Sequence, residues 1–277
     1  MAEKFEETAI IIRQEEIADD IYSMWLHTDQ IAAHAKAGQF VSVYCNDGSR
    51  LLPRPISICE IDKKDGAIRL VYRVAGKGTA EFSGMHTGAQ LRIVGPLGNG
   101  FPKKEKKAFL IGGGIGIPPM LQLAKELNCE KQIVLGFRDE LFLMDEFKKQ
   151  GKVYVATEDG SAGTEGNVLD AIRENGLDAE IIYACGPTPM LRALKAYAAE
   201  HGMECWLSLE EKMACGIGAC LACVCKSKDI DEHSHVHNKR ICKDGPVFRA
   251  EEVELLTPDE QRERIASGIM IKKEEQA

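Results

Sequence analysis

The stretch FLIGGGIGIPPM, residues 109–120, decides the fold of the second half of the chain. An apolar run typical of a buried strand is followed by four glycines and two prolines: Gly112, Gly113, Gly114, Gly116, Pro118 and Pro119. A helix that starts here points its free N–H groups and positive end at the glycine turn, where a phosphate or ribose could sit. The spacing fits neither the Rossmann G-x-G-x-x-G nor the Walker loop. Since a bare strand-to-helix turn seldom needs four glycines, we expect nucleotide binding.

The same alternation of strand and helix continues downstream as far as residue 210. Apolar strand-like runs occur at 107–113, 131–137, 152–157, 179–186 and 204–210. Helical patterns lie between them at 118–128, 140–149, 167–175 and 188–202. Such alternation predicts a parallel sheet with helices on both faces, whose ligands bind at the carboxyl ends of the strands. The turn ACGPTPM, residues 184–190, should therefore line the same crevice.

The first hundred residues show a different pattern. Six short runs rich in β-branched and apolar residues follow one another without long helices, at 8–14, 21–28, 38–45, 54–61, 67–74 and 89–96. Closely spaced strands of this kind predict an antiparallel six-stranded barrel. A stretch rich in Gly, Pro and Lys at 95–107 marks the boundary, so we expect domains at 1–102, 103–209 and 210–277.

The third region begins with ACGIGACLACVC, residues 214–225. Cys215, Cys220, Cys223 and Cys242 have the C-x4-C-x2-C…C spacing of plant-type [2Fe–2S] ligands, and Gly216 and Gly218 would let the loop curl around a cluster. Structural zinc, usually held by two C-x2-4-C knuckles, is the alternative, and a disulfide is a weaker one. Cys225 lies too close to Cys223 for both to bind without strain, so Cys242 is the preferred fourth ligand.

Composition limits the remaining possibilities. The net charge of −8 disfavours non-specific binding to nucleic acid or anionic membrane, and no apolar run approaches the ~18 residues of a membrane span. The start of the chain resembles neither a secretory signal nor a transit peptide, so we expect a cytoplasmic protein. His233, His235 and His237 suggest a metal, but their polar flanks favour a solvated loop. The sequence pattern of residues 256–268 predicts a short helix with Thr257 as its N-terminal cap.

Several motifs together resemble those of a known family. RPIS (54–57), GKGT (76–79), the glycine turn, CGPTPML (185–191) and the C-terminal cysteine motif occur in the order found in ferredoxin–NADP reductase-type flavoproteins. More narrowly, they resemble the electron-transfer subunits of NAD-linked bacterial dihydroorotate dehydrogenases. The resemblance covers nearly the whole chain, and the combination of motifs is more specific than any one of them.

The resemblance implies that the barrel binds FAD. In this family the Arg-Pro-x-Ser strand runs along the flavin and the later Gly-Thr loop holds the pyrophosphate. The implied roles are a cation at phosphate for Arg54, a hydroxyl near flavin N5 for Ser57, and pyrophosphate donors at Gly78 and Thr79. The implied flavin-side residues also include Pro55, Ile56, Val71, Tyr72 and Arg73, with Tyr72 and Arg73 stacking on or hydrogen-bonding to the flavin.

The resemblance also assigns the nucleotide side to NAD(H). The implied residues are those of the two turns, Gly112, Gly113, Gly114, Gly116, Cys185, Gly186 and Pro187. Asp139 and Glu140 follow the second strand of the sheet and would repel a 2′-phosphate, which favours NAD over NADP, although the neighbouring Arg138 weakens this argument.

The three cofactors would form one electron path, because a nicotinamide exchanges a hydride, a cluster exchanges single electrons and a flavin can do both. The resemblance implies that dihydroorotate is oxidised at FMN in a separate catalytic subunit, and that this chain carries the electrons to NAD+. A heterotetramer of two copies of each subunit is expected. The alternatives are the small subunit of an NADH-dependent ferredoxin:NADP oxidoreductase, a sulfide dehydrogenase or hydrogenase flavin subunit, and a zinc-bound interaction protein without redox function.

Overall fold

A computed structural model describes residues 3–231, 235–257 and 259–260, and the N-terminal part forms the predicted barrel. Its six strands close in the order β1-β2-β5-β4-β3-β6, with antiparallel neighbours. They are β1 (Phe5–Ala18), β2 (Ile21–His27), β3 (Phe40–Val43), β4 (Arg54–Asp62), β5 (Ala67–Arg73) and β6 (Gln90–Leu97). Two short helices, α1 (Gln30–His34) and α2 (Lys77–Ser83), lie in the connections.

Strands β3 and β4 present two different faces. Val41 and Val43 point into the barrel core, together with Ile56 and Ile58 of β4. The alternate residues point outward, and the antiparallel register puts Phe40 opposite Ser57 and Ser42 opposite Pro55. The outer surface of the predicted flavin strand is therefore continuous with that of β3.

The second part is the predicted α/β unit. Its parallel strands are β7 (Ala108–Gly113), β8 (Lys131–Phe137), β9 (Lys152–Thr157), β10 (Thr164–Glu165), β11 (Ile181–Cys185) and β12 (Glu204–Ser208). The helices are α3 (Pro118–Glu126), α4 (Met144–Lys148), α5 (Val168–Glu174) and α6 (Thr188–Glu200). Helix α4 is shorter than its predicted range of 140–149, because Leu143 adopts a left-handed conformation with φ of 59° and the helix begins after it.

Helices cover both faces of this sheet, as predicted. Leu110 of β7 packs into a core that includes α3 and α4, whereas Phe109 and Ile111 face a second core with α5 and α6. No helix in the described part of the chain is long and apolar enough to cross a membrane.

A buried ion network joins the barrel to the α/β unit. Arg69 of β5 is only 6% exposed and donates to Glu60 at 2.6 Å and to Glu146 of α4 at 3.2 Å. Lys125 of α3 also contacts Glu60, and the Arg69 Nε donates to Ser23 at 2.9 Å. Since burying an unpaired charge is costly, this network favours one fixed arrangement of the two units.

The third region adds short strands after the cysteine motif. They are β13 (Val224–Ser227), β14 (Asn238–Arg240), β15 (Val247–Arg249) and β16 (Val253–Glu254). A small sheet has the order β14-β13-β16, while β15 pairs antiparallel with β12 and extends the large sheet. This region, which includes the predicted cluster ligands, is therefore physically continuous with the nucleotide domain.

Residues 235–237 of the histidine segment are exposed, as expected for a solvated loop, whereas the strand that follows them is partly buried. Arg240 of β14 is 5% exposed and pairs with Asp231 at 3.2 Å and with Asp244 at 3.1 Å. His233 falls outside the described residues. In the predicted C-terminal helix, Thr257 Oγ1 accepts the N–H of Glu260 at 3.2 Å, as a capping residue does, and residues 261–268 also fall outside the described ranges.

Candidate functional site

Arg54 and Gly78 come from different elements and touch each other. A Cβ on Gly78 would lie 2.0 Å from Arg54 Nε and 2.4 Å from Cζ, so the guanidinium lies directly over this glycine. Arg54 begins β4, and Gly78 is in the first turn of α2. The contact places a bidentate cation beside a helix start, an arrangement suited to a pyrophosphate.

The hydroxyl of Thr79 is used inside the turn. Its oxygen accepts the N–H groups of Ala75 at 2.9 Å and Gly76 at 3.2 Å, and its hydrogen is directed at the Gly76 carbonyl. Thr79 therefore shapes the loop through its side chain, and any donation to a phosphate from this residue has to come from the backbone.

The strand segment Val71–Tyr72–Arg73 divides into three environments. Val71 is 3% exposed in the core shared with the α/β unit, and the exposed Arg73 lines a cavity between the two units. Tyr72 is 3% exposed inside the barrel, where its ring stacks on Tyr22 with centroids 6.0 Å apart and its hydroxyl donates to Gln14 at 3.2 Å. The ring therefore supports the barrel wall from within, and the flavin contact expected for Tyr72 stays a prediction.

The remaining flavin-side residues alternate along β4. Pro55 is exposed and Ser57 is half-buried on the outer face, whereas Ile56 points into the barrel core. Only Pro55 and Ser57 can face a ligand on that surface with their side chains, and Ile56 acts as part of its support.

Two cavities meet at the carboxyl ends of the parallel strands. The larger, about 900 Å³, extends between the barrel and the sheet, and the smaller, about 630 Å³, extends between the sheet and the cysteine region. Gly113, Ile115 and Pro187 line both cavities. The two predicted turns thus meet in one crevice, with volume enough for an extended dinucleotide.

The glycines of the first turn are needed for different structural reasons. Gly114 has a φ of 53° and open space around its missing side chain, so it fits the role of a ligand-facing residue. Gly116 is required by packing, because a Cβ there would lie 2.5 Å from the Cys185 carbonyl, and a Cβ on Gly112 would lie 2.8 Å from Ile117 Cα. Sequence reasoning assigned all four to the ligand, whereas the close packing of the two turns accounts for at least two.

The second turn and the rim of the larger cavity carry the remaining polar groups. Cys185 is fully buried, and burial raises the pKa of its thiol, so it stays protonated at neutral pH. Arg138, Asp139 and Glu140 follow β8 and line the cavity, and Glu140 accepts the backbone N–H of Asp19 at 2.8 Å. The predicted acids and their neighbouring arginine are thus together at the rim.

The four predicted cluster ligands form two thiol pairs. Cys215 interacts with the Cys220 thiol, and Cys223 interacts with the Cys242 thiol and accepts the Cys242 N–H at 3.4 Å. Gly216 and Gly218 have positive φ of 67° and 90°, which confirms the tight loop between the first two cysteines. In the part of the chain that the structure describes, no three His, Cys, Asp or Glu side chains converge on a single-ion position. Two pairs suit a cluster of two irons, each held by two thiolates.

Backbone donors stabilise the ionised form of two of these thiols. The N–H groups of Ile217 and Ala219 donate to Cys215 Sγ at 3.5 and 3.3 Å; burial opposes ionisation, but these bonds outweigh it and lower the Cys215 pKa to about 7. The bond from the Cys242 thiol lowers the pKa of Cys223 to about 6 and raises that of Cys242. Thiolate is the form that binds iron, so this chemistry fits the proposed group.

Cys225 lies apart from the thiol pairs. It sits on β13 opposite Lys239, lines the smaller cavity, and burial raises its pKa to about 11. The Nδ1 of His237 contacts the Lys228 carbonyl at 2.8 Å, a loop-closing role rather than a ligand position.

Sequence reasoning missed the residues that hold the cysteine loop in place. Arg240 donates to the Gly218 carbonyl at 3.2 Å and so ties β14 to the loop. Asn99, taken only as part of a domain boundary, donates to the Val247 carbonyl at 2.8 Å and accepts its N–H at 3.0 Å. The only sequence signal was the presence of an amide and an arginine close to glycine- and cysteine-rich segments.

Comparison with family models divides the chain in the same order as the fold. Residues 8–101 match the oxidoreductase FAD-binding domain, residues 110–196 the oxidoreductase NAD-binding domain, and residues 210–254 the iron-sulfur cluster binding domain of dihydroorotate dehydrogenase B.

Curated relatives extend this similarity over most of the chain. The chain is 44% identical over 254 residues to the dihydroorotate dehydrogenase B (NAD(+)) electron transfer subunit of Fusobacterium nucleatum, covering 87% of this chain and 95% of that protein. The chain is also 44% identical to the subunit of the same name in Listeria monocytogenes, and the match covers 88% of this chain and 97% of that protein. A solved NADH-dependent reduced ferredoxin-NADP oxidoreductase structure superposes with a TM-score of 0.82 at 32% identity, covering 94% of each chain.

Proposed function

The chain belongs to the family of electron-transfer subunits of NAD+-dependent dihydroorotate dehydrogenase B, and from this premise we propose that it carries electrons from an FMN subunit that oxidises dihydroorotate, through a [2Fe–2S] cluster and FAD, to NAD+ in pyrimidine biosynthesis. The bound groups would supply the redox chemistry, and the chain would hold them at fixed distances.

One observation carries the proposal: the cysteine loop lies on the strand next to the predicted flavin strand. A Cβ on Gly216 would lie 2.8 Å from Ser42 Oγ on β3, and Ser42 is paired with Pro55 of β4. Side chains opposite each other on neighbouring strands are about 5 Å apart, and diagonal ones about 7–8 Å. A flavin along β4 and a cluster over β3 would therefore be near neighbours.

The residue assignments are part of the proposal. Arg54 and the backbone at Gly78 and Thr79 bind the FAD pyrophosphate, Ser57 offers its hydroxyl to the flavin, and Arg73 faces the shared cavity. Cys215 with Cys220 and Cys223 with Cys242 hold the two irons. Gly113, Gly114 and Pro187 receive NAD(H), and the acids at 139 and 140 disfavour a 2′-phosphate; the curated relatives carry NAD(+) in their names. The domain ranges 1–102, 103–209 and 210–277 remain predictions, and β15 crosses from the third into the sheet of the second.

The name electron transfer subunit implies a catalytic partner for those relatives. The surface proposed to meet it here surrounds the exposed Cys220, where Ile217 and Leu221 are 49% and 36% exposed. Leu51 and Leu52, exposed by 82% and 56%, lie in the loop that joins β3 to β4. Apolar side chains beside a cluster ligand suit a protein interface that shortens the path for electrons. We propose two copies of each subunit.

The test is co-purification with the FMN subunit, followed by assay of NAD+ reduction with dihydroorotate. We expect flavin bands overlaid by the broad brown absorption of a cluster, and NADH formation that requires both subunits. A Cys223→Ser variant should lose NAD+ reduction driven by dihydroorotate. It should keep electron transfer from NADH to an artificial acceptor that takes electrons from the flavin, such as ferricyanide.

Three results would contradict the proposal. Activity with reduced ferredoxin instead of dihydroorotate would assign the chain to the ferredoxin:NADP class, which the 32% identical structure represents. A colourless protein containing zinc would remove the redox function. Two separate species on size analysis would count against the heterotetramer.

A further inference from the structure

Ser42 carries a buried hydroxyl that the fold itself does not use. Its side chain is on the outer face of β3, 1% exposed, and its Oγ has no hydrogen-bond partner within residues 3–231, 235–257 and 259–260. A buried hydroxyl left unpaired loses its hydrogen bonds to water without replacement, so such a group is expected to have a partner.

The surroundings of Ser42 indicate where that partner lies. Phe40, two residues earlier on the same face, packs in the core that contains Cys223 and Cys242. The position of a Cβ on Gly216 is 2.8 Å from Ser42 Oγ and 3.4 Å from Leu97. The hydroxyl is therefore enclosed between the barrel wall and the loop segment that immediately follows Cys215.

The Cys215 end of the loop already receives donors from one side. Ile217 and Ala219 donate their backbone N–H groups to Cys215 Sγ. Ser42 approaches the same segment from the barrel, and it lies opposite Pro55 of the predicted flavin strand.

We propose that Ser42 donates an O–H···S hydrogen bond to a sulfur at the Cys215 end of the [2Fe–2S] cluster and thereby raises the reduction potential of that cluster. The inference rests on the ligand set of the proposed function. A hydrogen bond to sulfur stabilises the more negative, reduced cluster more than the oxidised one, so losing the bond makes reduction harder. Ser42 is a positioning and tuning residue and takes no part in the chemistry at dihydroorotate or NAD+.

The test compares Ser42→Ala and Ser42→Thr with the wild type in the complex with the FMN subunit. The midpoint potential of the cluster is measured by redox titration with EPR detection, and exchangeable protons near the reduced cluster are counted by ENDOR after transfer to D2O. Ser42→Ala should lower the one-electron equilibrium constant for reduction by up to about tenfold, or about 59 mV, and lose one exchangeable coupling. Ser42→Thr, which keeps the hydroxyl, should retain both.

Ser23→Ala is the matched control. Ser23 is also fully buried in a barrel strand, but its hydroxyl accepts from Arg69, and its loss should leave the potential unchanged. An unchanged potential and proton count in Ser42→Ala would overturn the inference, as would a threonine variant that shifts as alanine does. If Ser42→Ala prevents cluster assembly, the potential and the proton count of Ser42→Thr decide, and a change in either one overturns the inference. Absence of a [2Fe–2S] EPR signal in the wild type would instead contradict the proposed function.

Discussion

Gly78→Ala tests the proposed pyrophosphate site, because the new methyl group would displace Arg54. The Cβ would lie 2.0 Å from the Arg54 Nε, far inside van der Waals contact, and the flexible guanidinium is the group that can move. Gly78 does not have a left-handed φ, so alanine adds no backbone strain there. If the arginine loses its charge-assisted bonds to phosphate, about 1.5–3 kcal/mol of binding free energy is lost, which weakens FAD binding about 10- to 150-fold.

In the assay, the flavin-stripped protein is titrated with FAD, and binding is measured through the quenching of flavin fluorescence. Gly84→Ala is the matched control: it lies at the end of the same helix with φ of −83°, and its new Cβ would be 3.7 Å from the nearest carbonyl oxygen, an ordinary contact. The reasoning is refuted if Gly78→Ala binds FAD as tightly as the wild type, or if Gly84→Ala weakens binding to the same degree.

Two further predictions concern the cysteines and the pH dependence of stability. Cys225→Ser should keep the brown absorption of the cluster whereas Cys242→Ser should lose it, since Cys242 donates its N–H to Cys223 Sγ and Cys225 lies on β13 opposite Lys239; loss of the bands in Cys225→Ser alone would reverse the assignment. Burial raises the pKa of Glu204, but bonds from Lys104, Trp206 and Lys106 outweigh it and lower this pKa to about 2. The folded pKa is below the ordinary 4.5, so these bonds stabilise the protein above pH 4.5 by about 1–3 kcal/mol, and this is lost as the pH falls towards 2. In denaturant titrations at several pH values, Glu204→Gln should flatten that acid-side loss, and curves parallel to the wild type would contradict this.

The sequence predicted the elements well where their pattern is local. The alternation at 38–45 and 54–61 was enough to find β3 and β4, and the buried run before the glycine turn found β7. The sequence pattern could not predict which strands pair with each other. Nothing in the order of residues says that β3 lies beside β4 and β6, or that residues 247–249 join the large sheet, because these contacts close long loops.

The candidate site was predictable in its residue types but less so in its geometry. The cysteine spacing predicted four ligands, whereas their arrangement depends on how β14 returns the segment with Cys242 to Cys223. The family resemblance assigned both Tyr72 and Arg73 to the flavin, and only the fold shows that the Tyr72 ring turns into the barrel. Ser42 gave no signal, since a serine in a strand becomes unusual only when the fold buries it.

The barrel is the part of the molecule to which both other units are fixed, and this follows from the polar groups buried at its two contacts. On one side Arg69 bonds to Glu60 of its own domain and to Glu146 of the α/β unit. On the other, the N–H of Asn99 donates to the Gly245 carbonyl at 2.6 Å, and its side chain pairs with both backbone groups of Val247. Movement of either unit would leave the buried Arg69 charge or the half-buried Asn99 amide unpaired, at a cost of several kcal/mol. Electron transfer between bound groups needs fixed distances, so we expect these two contacts, rather than the cofactor ligands alone, to maintain the path from the cysteine loop over β3 to the flavin strand β4.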